Sequence, residues 1–524
     1  MATVLGCDLH LAYSNGLSDH ELNPIYWSFQ QWPWWEEANG MLYYALYKAF
    51  WLTDDEIFAH SELYIRFPII LMAQLTLFLT YKVGNALARW AGTRKPWGLY
   101  GSFMLGVNCA FLAHSFHRRF YMLNTVMVLL ATWLLLRACQ KRTWASVALY
   151  ALGVWGCISS MLLSSLLLVP HLVYYVGSAS ATRKRQALQQ SLAVALASVS
   201  WFFLLSYWDV DGYSRFVYHQ SDGCLGLILC LGYLGPDSVH PALPALDIQF
   251  SHGLSWDWPV RAVVLLSASA LIALACHLLK NRRRFLQPTA WLCPLILVWT
   301  ALFYYLFSAY VKRIDICSNY CWAFPFFCLV FGQALSVNRY LRYLMLVAII
   351  AAVPFTHTSL LAHGCSYKDV LVTLAHQRRV HEPVVLTNAA VMRYYLQREL
   401  GEWQQGGRGC WLTMNDVESQ KAVPIEVLPH QINRILELLQ ALHRTKPLRL
   451  WLVEDGHDIS YAQQGWLSEQ EQAQRLEFEF NDTYPVELYR VTMWPCATGK
   501  PIFKRPAPTP LRGHSALRFL QRCR

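Results

Sequence analysis

Two sets of charged residues in this sequence are placed where chemistry can use them. Asp19 and Glu21 stand in "GLSDHELNPIYW", residues 16–27, just ahead of a stretch dense in Trp and Tyr. Arg118 and Arg119 stand in "AHSFHRRFYML", residues 113–123, and Lys312 and Arg313 in "AYVKRIDIC", each pair between two apolar runs. A carboxylate can act as a general base, taking the proton of a hydroxyl. Paired basic side chains can hold a phosphate, arginine doing so through two parallel hydrogen bonds. Brought together, the two sets would activate an alcohol next to a bound anion at a membrane surface. Simpler readings exist for each. Ser18 and Glu21 form an S-x-x-E capping box, and Asp19 suits the first turn of a helix. Either basic pair, taken alone, can snorkel to lipid headgroups.

Other signals are weaker. "DVD" at 209–211 matches a D-x-D metal and nucleotide-sugar motif, but three-letter matches arise by chance. "TDDE" at 53–56 reads as a helix start. Glu36 and Glu37 are rival acids to Asp19. His20, His114 and His117 show no metal-ligand spacing. Asn481 heads an N-D-T sequon, which matters only in a glycosylating lumen. The sequence holds no Gly-rich phosphate loop and no G-x-S-x-G. Its 15 cysteines are scattered, with no C-x-x-C pair, and read as small apolar residues.

The elements that must position these residues follow from composition. The chain has 524 residues, 55% hydrophobic and 15% charged, against about 25% charged in a soluble domain. Mean hydropathy is +0.25. These values exclude an ordinary soluble globule. Apolar runs fit spanning helices at 67–86, 97–115, 120–137, 144–158, 160–177, 187–208, 259–279, 288–310, 319–336 and 343–361. The fourth is short and forms one bent unit with the fifth. No broken helices or paired halves are visible. The net charge of +11 collects in every second connection: Lys82 to Lys95, Arg137 to Arg142, Arg183 to Arg185, Lys280 to Arg284, and Arg339 with Arg342. The positive-inside rule accounts for that alternation without nucleic acid and places those loops in the cytoplasm. "SFHRR" and "VKR" then face outward, against the trend. "MATVLGCDLHLAYSNG" has no basic start and carries Asp8 in its apolar part, so it is not a cleavable signal peptide.

The expected fold is a mainly α, polytopic transmembrane bundle of about ten spans with a small soluble α/β C-terminal domain. Residues 1–64 form outer interfacial helices and the acidic loop, and 65–362 the transmembrane domain. Residues 363–494 form the α/β domain, with strands at "PVVLT", "LRLWLV", "RLEFEFN" and "VELYRVTMW" and helices between. Residues 495–524 are a basic, Pro-rich tail.

The order of these features resembles the GT-C glycosyltransferases of the protein-mannosyltransferase type, which include the bacterial lipid A aminoarabinose transferases. "SDHE" stands at that family's acidic motif and "NGMLYYAL", with Tyr43 and Tyr44, at its H-P-P-L-Y-Y-like segment. "YIRFPIILMAQLTLFLTYKVG" resembles its R-L-P-S span. "SFHRRFYMLNTVMVLLATWLLLRA" resembles its S-x-E-A-R-x-Y loop and the span after it, with Ser115, Arg119 and Tyr121 on the motif's Ser, Arg and Tyr. "YVKRIDICSNYCWAFPFFCLVFG" resembles its late R-Y-x-x-P span, and the terminal α/β domain its outer domain. The chain departs in three places: His117 replaces Glu, "NG" replaces "HP", and no spanning helix precedes the acidic loop, so that either the start lies upstream of Met1 or the chain begins natively outside, the first being the expectation.

The resemblance implies transfer of a sugar from a polyprenyl-phosphate donor to an acceptor hydroxyl on the non-cytoplasmic face. Asp19, with Glu21 beside it, would take the hydroxyl's proton and the anomeric centre would invert. Arg118, Arg119, Lys312 and Arg313 would neutralise the departing phosphate, with His117, Tyr121, Tyr43 and Tyr44 in support. No metal or other cofactor is required. The acceptor is a lipid, glycan or protein, and the setting a bacterial inner membrane facing the periplasm or, as the alternative, the endoplasmic reticulum. A transporter or flippase, or a non-catalytic binder of lipid-linked sugars, would use the same basic residues merely to hold the phosphate.

Overall fold

Hydrocarbon offers backbone N–H and C=O groups no partner, so an apolar chain crosses it as helices that satisfy their own. The computed structural model follows that rule. It describes residues 5–6, 8–10, 40–51, 60–115, 120–208, 272, 276, 279–280, 291–310, 321–347 and 377, and strand residues at 384–386, 425–426, 448–455, 473–477, 486–494 and 502–503. The chain divides into two compact units, one mainly Ser61–Leu361 joined by Met1–Tyr13 and Ser28–Asp54, the other mainly Ala362–Arg524.

In the first unit, α1 spans Met41–Phe50, α2 Glu62–Trp90, α3 Trp97–Gly106, α4 Cys109–Ser115 and α5 Tyr121–Lys141. Then come α6 at Trp144–Ser160, α7 at Leu168–Gly177, α8 at Lys184–Trp208, α9 at Leu292–Tyr310 and α10 at Phe324–Val337. Glu62–Trp90, Tyr121–Lys141 and Ala181–Leu205 are long and apolar enough to cross a membrane. The shorter stretches Trp144–Ser160, Leu162–Gly177, Leu292–Phe303 and Cys321–Val337 are apolar too. The chain is an integral membrane protein. The expected spans 259–279 and 343–361 lie largely outside the described residues.

Two expected spans differ in shape. The run 97–115 is divided at Val107–Asn108. Asn108 is fully buried, and its Oδ1 accepts from the Phe111 N–H at 2.9 Å. That side chain competes with the helix ladder and restarts it as α4. The fourth and fifth spans are a hairpin and not one bent unit. Met161 is extended, a 3-10 turn covers Leu162–Leu167, and Ser164 Oγ donates to Cys157 O at 2.8 Å. Serine hydroxyls thus satisfy carbonyls that the reversal exposes, a signal that hydropathy does not register.

The hairpin brings the ends of α5 and α7 together at Arg142. This residue caps α5 in the left-handed region at φ 54. Its guanidinium donates to Cys139 O (2.9 Å), Tyr175 O (2.9 Å) and Ser178 Oγ (2.7 Å) and lies over the Tyr175 ring. Its carbonyl accepts from Gln186 and Gln190 at the start of α8. Trp90 at the end of α2 meets Tyr174 edge-on, and Arg342 bonds Tyr100 near the start of α3. The basic ends of several helices therefore gather at one end of the bundle. The starts of α2 and α5 and the end of α4 lie at the other. There Tyr47 OH donates to Ile65 O and Trp51 Nε1 to Tyr64 O, docking α1 on the start of α2.

Close backbone contact sets the packing of α2, α3 and α10. A Cβ on Gly332 would come within 2.5 Å of both Gly101 N and Trp97 O, and one on Gly84 within 2.5 Å of Gly98 Cα. In hydrocarbon, where burial drives little, such small-residue contacts let dispersion hold helices together.

The second unit holds one mixed sheet. Its strands are β1 Val384–Leu386, β2 Ile425–Glu426, β3 Leu448–Asp455, β4 Ala473–Glu477, β5 Val486–Trp494 and β6 Ile502–Phe503. The order is β2-β1-β3-β5-β4, with β6 on β5. β1 runs parallel to β2 and β3, while β3, β4 and β6 run antiparallel to β5. β4 begins ahead of "RLEFEFN", and β6 falls inside the expected loose tail, so residues 502–503 of that tail are paired backbone. The helices expected between the strands lie outside the described residues.

Candidate active site

A carboxylate bound partway along α2 is the feature that local sequence does not single out. Asp8 sits in a helical turn of residues 8–10 and is fully buried. Ser115 Oγ, at the end of α4, stands 2.6 Å from Asp8 Oδ1. Gln74 Nε2, on α2, donates to Asp8 Oδ2 at 3.0 Å. Among the described residues, Asp8 is bonded only to these two neutral groups. Burial raises its pKa from 3.8 to about 7, and the hydrogen bonds of Ser115 and then Gln74 offset part of that rise. A carboxyl group with its pKa near neutrality is suited to accept a proton in a reaction run at that pH.

The site is positioned by three separate segments. α2 is helical from Ser61, whose hydroxyl accepts from Tyr64 N, and it carries Gln74 three turns in. α4 ends at Ser115, whose Oγ is also 2.7 Å from Leu112 O. Arg66 on α2 and Tyr43 on α1 are fully buried, and His114 and Tyr121 are buried with their rings 5.7 Å apart. Tyr43 and Tyr47 stack obliquely at 5.8 Å.

Of the residues expected from sequence to act, Tyr43 and Tyr121 are buried; Ser115, which falls on the motif's Ser with no role assigned to it, is in direct contact with a carboxylate. Tyr44 lies on α1, but its side chain is outside the described residues, as are Asp19, Glu21, His117, Arg118, Arg119, Lys312 and Arg313. The acid that Ser115 meets is Asp8, whose role in the sequence argument is only to reject a signal peptide. The available signal was an ionisable residue inside the apolar stretch "TVLGCDLHL", costly in such surroundings and therefore a functional flag. Among the described residues no group of three or more His, Cys, Asp or Glu is arranged to hold a metal ion.

No protein-family model and no curated protein sequence matches the chain. Solved structures do match. The crystal structure of ArnT from Cupriavidus metallidurans bound to undecaprenyl phosphate aligns over 97% of this chain and 98% of that one, with a TM-score of 0.51 and 12% identity. The apo structure of the same protein aligns over 93% and 96%, with a TM-score of 0.47 and 13% identity. The chain shares the fold of the ArnT structure bound to undecaprenyl phosphate.

Proposed function

We propose that the chain is an integral-membrane glycosyltransferase that moves a sugar from a polyprenyl-phosphate donor to an acceptor hydroxyl on the non-cytoplasmic face. The observation that carries this reading is the buried carboxyl group of Asp8, held by Ser115 and Gln74 next to the segment bearing Arg118 and Arg119. Covalent geometry alone keeps the Arg119 backbone within about 14 Å of Ser115. The proposed base and the proposed phosphate grip are thereby carried on adjoining stretches of chain. The ArnT fold, and the undecaprenyl phosphate bound in the ArnT crystal structure, supply the donor class.

In this scheme Asp8 takes the acceptor's proton as its oxygen attacks the anomeric carbon. The carbon–phosphate oxygen bond breaks on the opposite face, and configuration inverts. Arg118, Arg119, Lys312 and Arg313 neutralise the departing lipid phosphate. Phosphate leaves without a strong general acid, and the scheme needs no metal. Asp19, with Glu21, is the alternative base. The setting proposed is a bacterial inner membrane with the Asp8 end toward the periplasm; the acceptor class stays as read from sequence, a lipid, glycan or protein.

Purified protein in lipid, supplied with polyprenyl-phosphate sugars, tests the reading. Asp8→Asn is expected to abolish transfer while polyprenyl-phosphate binding persists, and Asp19→Asn to retain transfer. Loss with Asp19→Asn and normal transfer with Asp8→Asn would reverse the assignment of the base. The break at Asn108 favours a second reading, a flippase, because transporters build sites from interrupted helices. Translocation of the intact lipid-linked sugar without transfer would select it.

A further inference from the structure

Resting on the transferase reading with Asp8 as base, we propose that Ser115 and Gln74 are positioning residues that fix the Asp8 carboxyl group in one orientation and keep it available as an ionised base near neutral pH. Their geometry divides the labour. The Ser115 hydroxyl has one proton and two acceptors within reach, Asp8 Oδ1 at 2.6 Å and Leu112 O at 2.7 Å. With Asp8 ionised, the hydroxyl donates to the carboxylate. With Asp8 protonated, the acid donates to Ser115 Oγ and the hydroxyl turns to Leu112 O. Ser115 therefore serves both forms of the acid through a rotation of its hydroxyl, and the carboxyl group keeps its place while the proton comes and goes.

Gln74 is different. Its Nε2 donates to Asp8 Oδ2 at 3.0 Å, while its Oε1 is buried with no partner among the described residues. Turning the amide round would bury two donors in place of one acceptor, so the amide is held with its N–H toward Asp8. A fixed donor favours the anion. Gln74 therefore adds to Ser115 in opposing the desolvation of Asp8, while Ser115 also orients the group.

Other described ionisable groups on these elements are His10 on Asp8's own turn, Glu62, Tyr64, Arg66, Tyr81, Lys82 and Arg89 on α2, His114 on α4, and Tyr121, Arg137, Cys139 and Lys141 on α5. None of these bonds Asp8. Arg66 is about 12 Å along α2 from Gln74, so among the described residues the neutral pair makes the direct contacts with the acid.

Two readouts test the proposal. The first is the infrared absorption of the protonated Asp8 carboxyl against pH, isolated by subtracting Asp8→Asn; the second is the pH profile of kcat and KM. Gln74→Leu is expected to move the ionisation midpoint, and the acidic limb of kcat, upward by about one pH unit, the size of one lost charge-assisted hydrogen bond. Ser115→Ala is expected to lower kcat by about tenfold, to move the midpoint upward by at least as much as Gln74→Leu, and to change KM for the donor little. Gln74→Glu, which keeps the side chain's size, is expected to raise the midpoint further and covers the case of a Leu variant that does not fold. An unchanged infrared midpoint in both Gln74 variants would overturn the proposal. A displaced infrared midpoint without sugar transfer by the wild type would keep the cradle and sink the transferase reading. Transfer with an unmoved midpoint would do the reverse.

Discussion

The carboxyl group of Asp8 is stable as an acid and useful as a base, and these two demands oppose each other. Burial lifts its pKa from 3.8 to about 7, so the folded chain binds this proton more tightly than the unfolded chain does. Its contribution to stability is complete below about pH 4, declines as pH rises toward 7, and is lost above that. The window is worth at most about 4 kcal/mol, the free energy that corresponds to a pKa moved from 3.8 to about 7. Asp8→Asn, which cannot ionise, is therefore expected to gain thermal stability over the wild type as pH rises from about 5 to about 8, measured by unfolding in detergent. A constant difference across that range would show that Asp8 is not desolvated in the folded protein. A mutation that removes activity yet stabilises the protein at the alkaline end would separate the site's chemistry from its structural role.

At the scale of elements, two features decide how the helices close around that site. Gly332 lets α10 touch the backbone of α3, so Gly332→Val must push the helices apart or bury strain. Overpacking of this kind costs about 1–3 kcal/mol, and the loss should appear as a lower unfolding temperature with the pH dependence of Asp8 unchanged. Arg142 ties the ends of α5 and α7 to the start of α8 and holds a left-handed backbone. Arg142→Ala removes three donated hydrogen bonds and keeps the unfavourable φ, a cost of about 3 kcal/mol or more. Its expected signature is poor accumulation in the membrane. Normal accumulation and stability would show that the hairpin closes without it. Hydropathy places the spans and the inner loops but makes Arg142 one more cytoplasmic charge. Its bonds run to Tyr175, Ser178, Gln186 and Gln190, more than 30 positions on, and no local window joins them.

For the whole molecule, the proposed function requires that the two ends of the bundle behave differently. Arg119→Ala is expected to weaken binding of polyprenyl phosphate in lipid nanodiscs by about tenfold or more, the loss of one bidentate phosphate contact. Arg94→Ala, an exposed residue at the basic end, should leave binding within about twofold. Equal losses at both positions would indicate a general electrostatic effect of net charge and remove the phosphate grip from the site. The charge pattern and the order of motifs are visible in the residues, and the chain shares the fold of ArnT at 12% identity. At that identity the fold is kept by apolar pattern, small-residue contacts and capping, which many sequences satisfy.

By itself the sequence determined that this chain lives in a membrane, because a run of apolar residues has one solution in hydrocarbon, and that charge collects in alternate loops. It also marked Ser115, Tyr43 and Tyr121 as residues of interest. Only the tertiary structure decided which acid Ser115 serves. Asp8 and Ser115 are 107 positions apart, and Asp8 and Gln74 are 66 apart. Whether a carboxyl group ends in water or buried against two neutral donors depends on the helices that close over it, and that desolvation is what turns an ordinary aspartate into one that can exchange a proton near neutral pH.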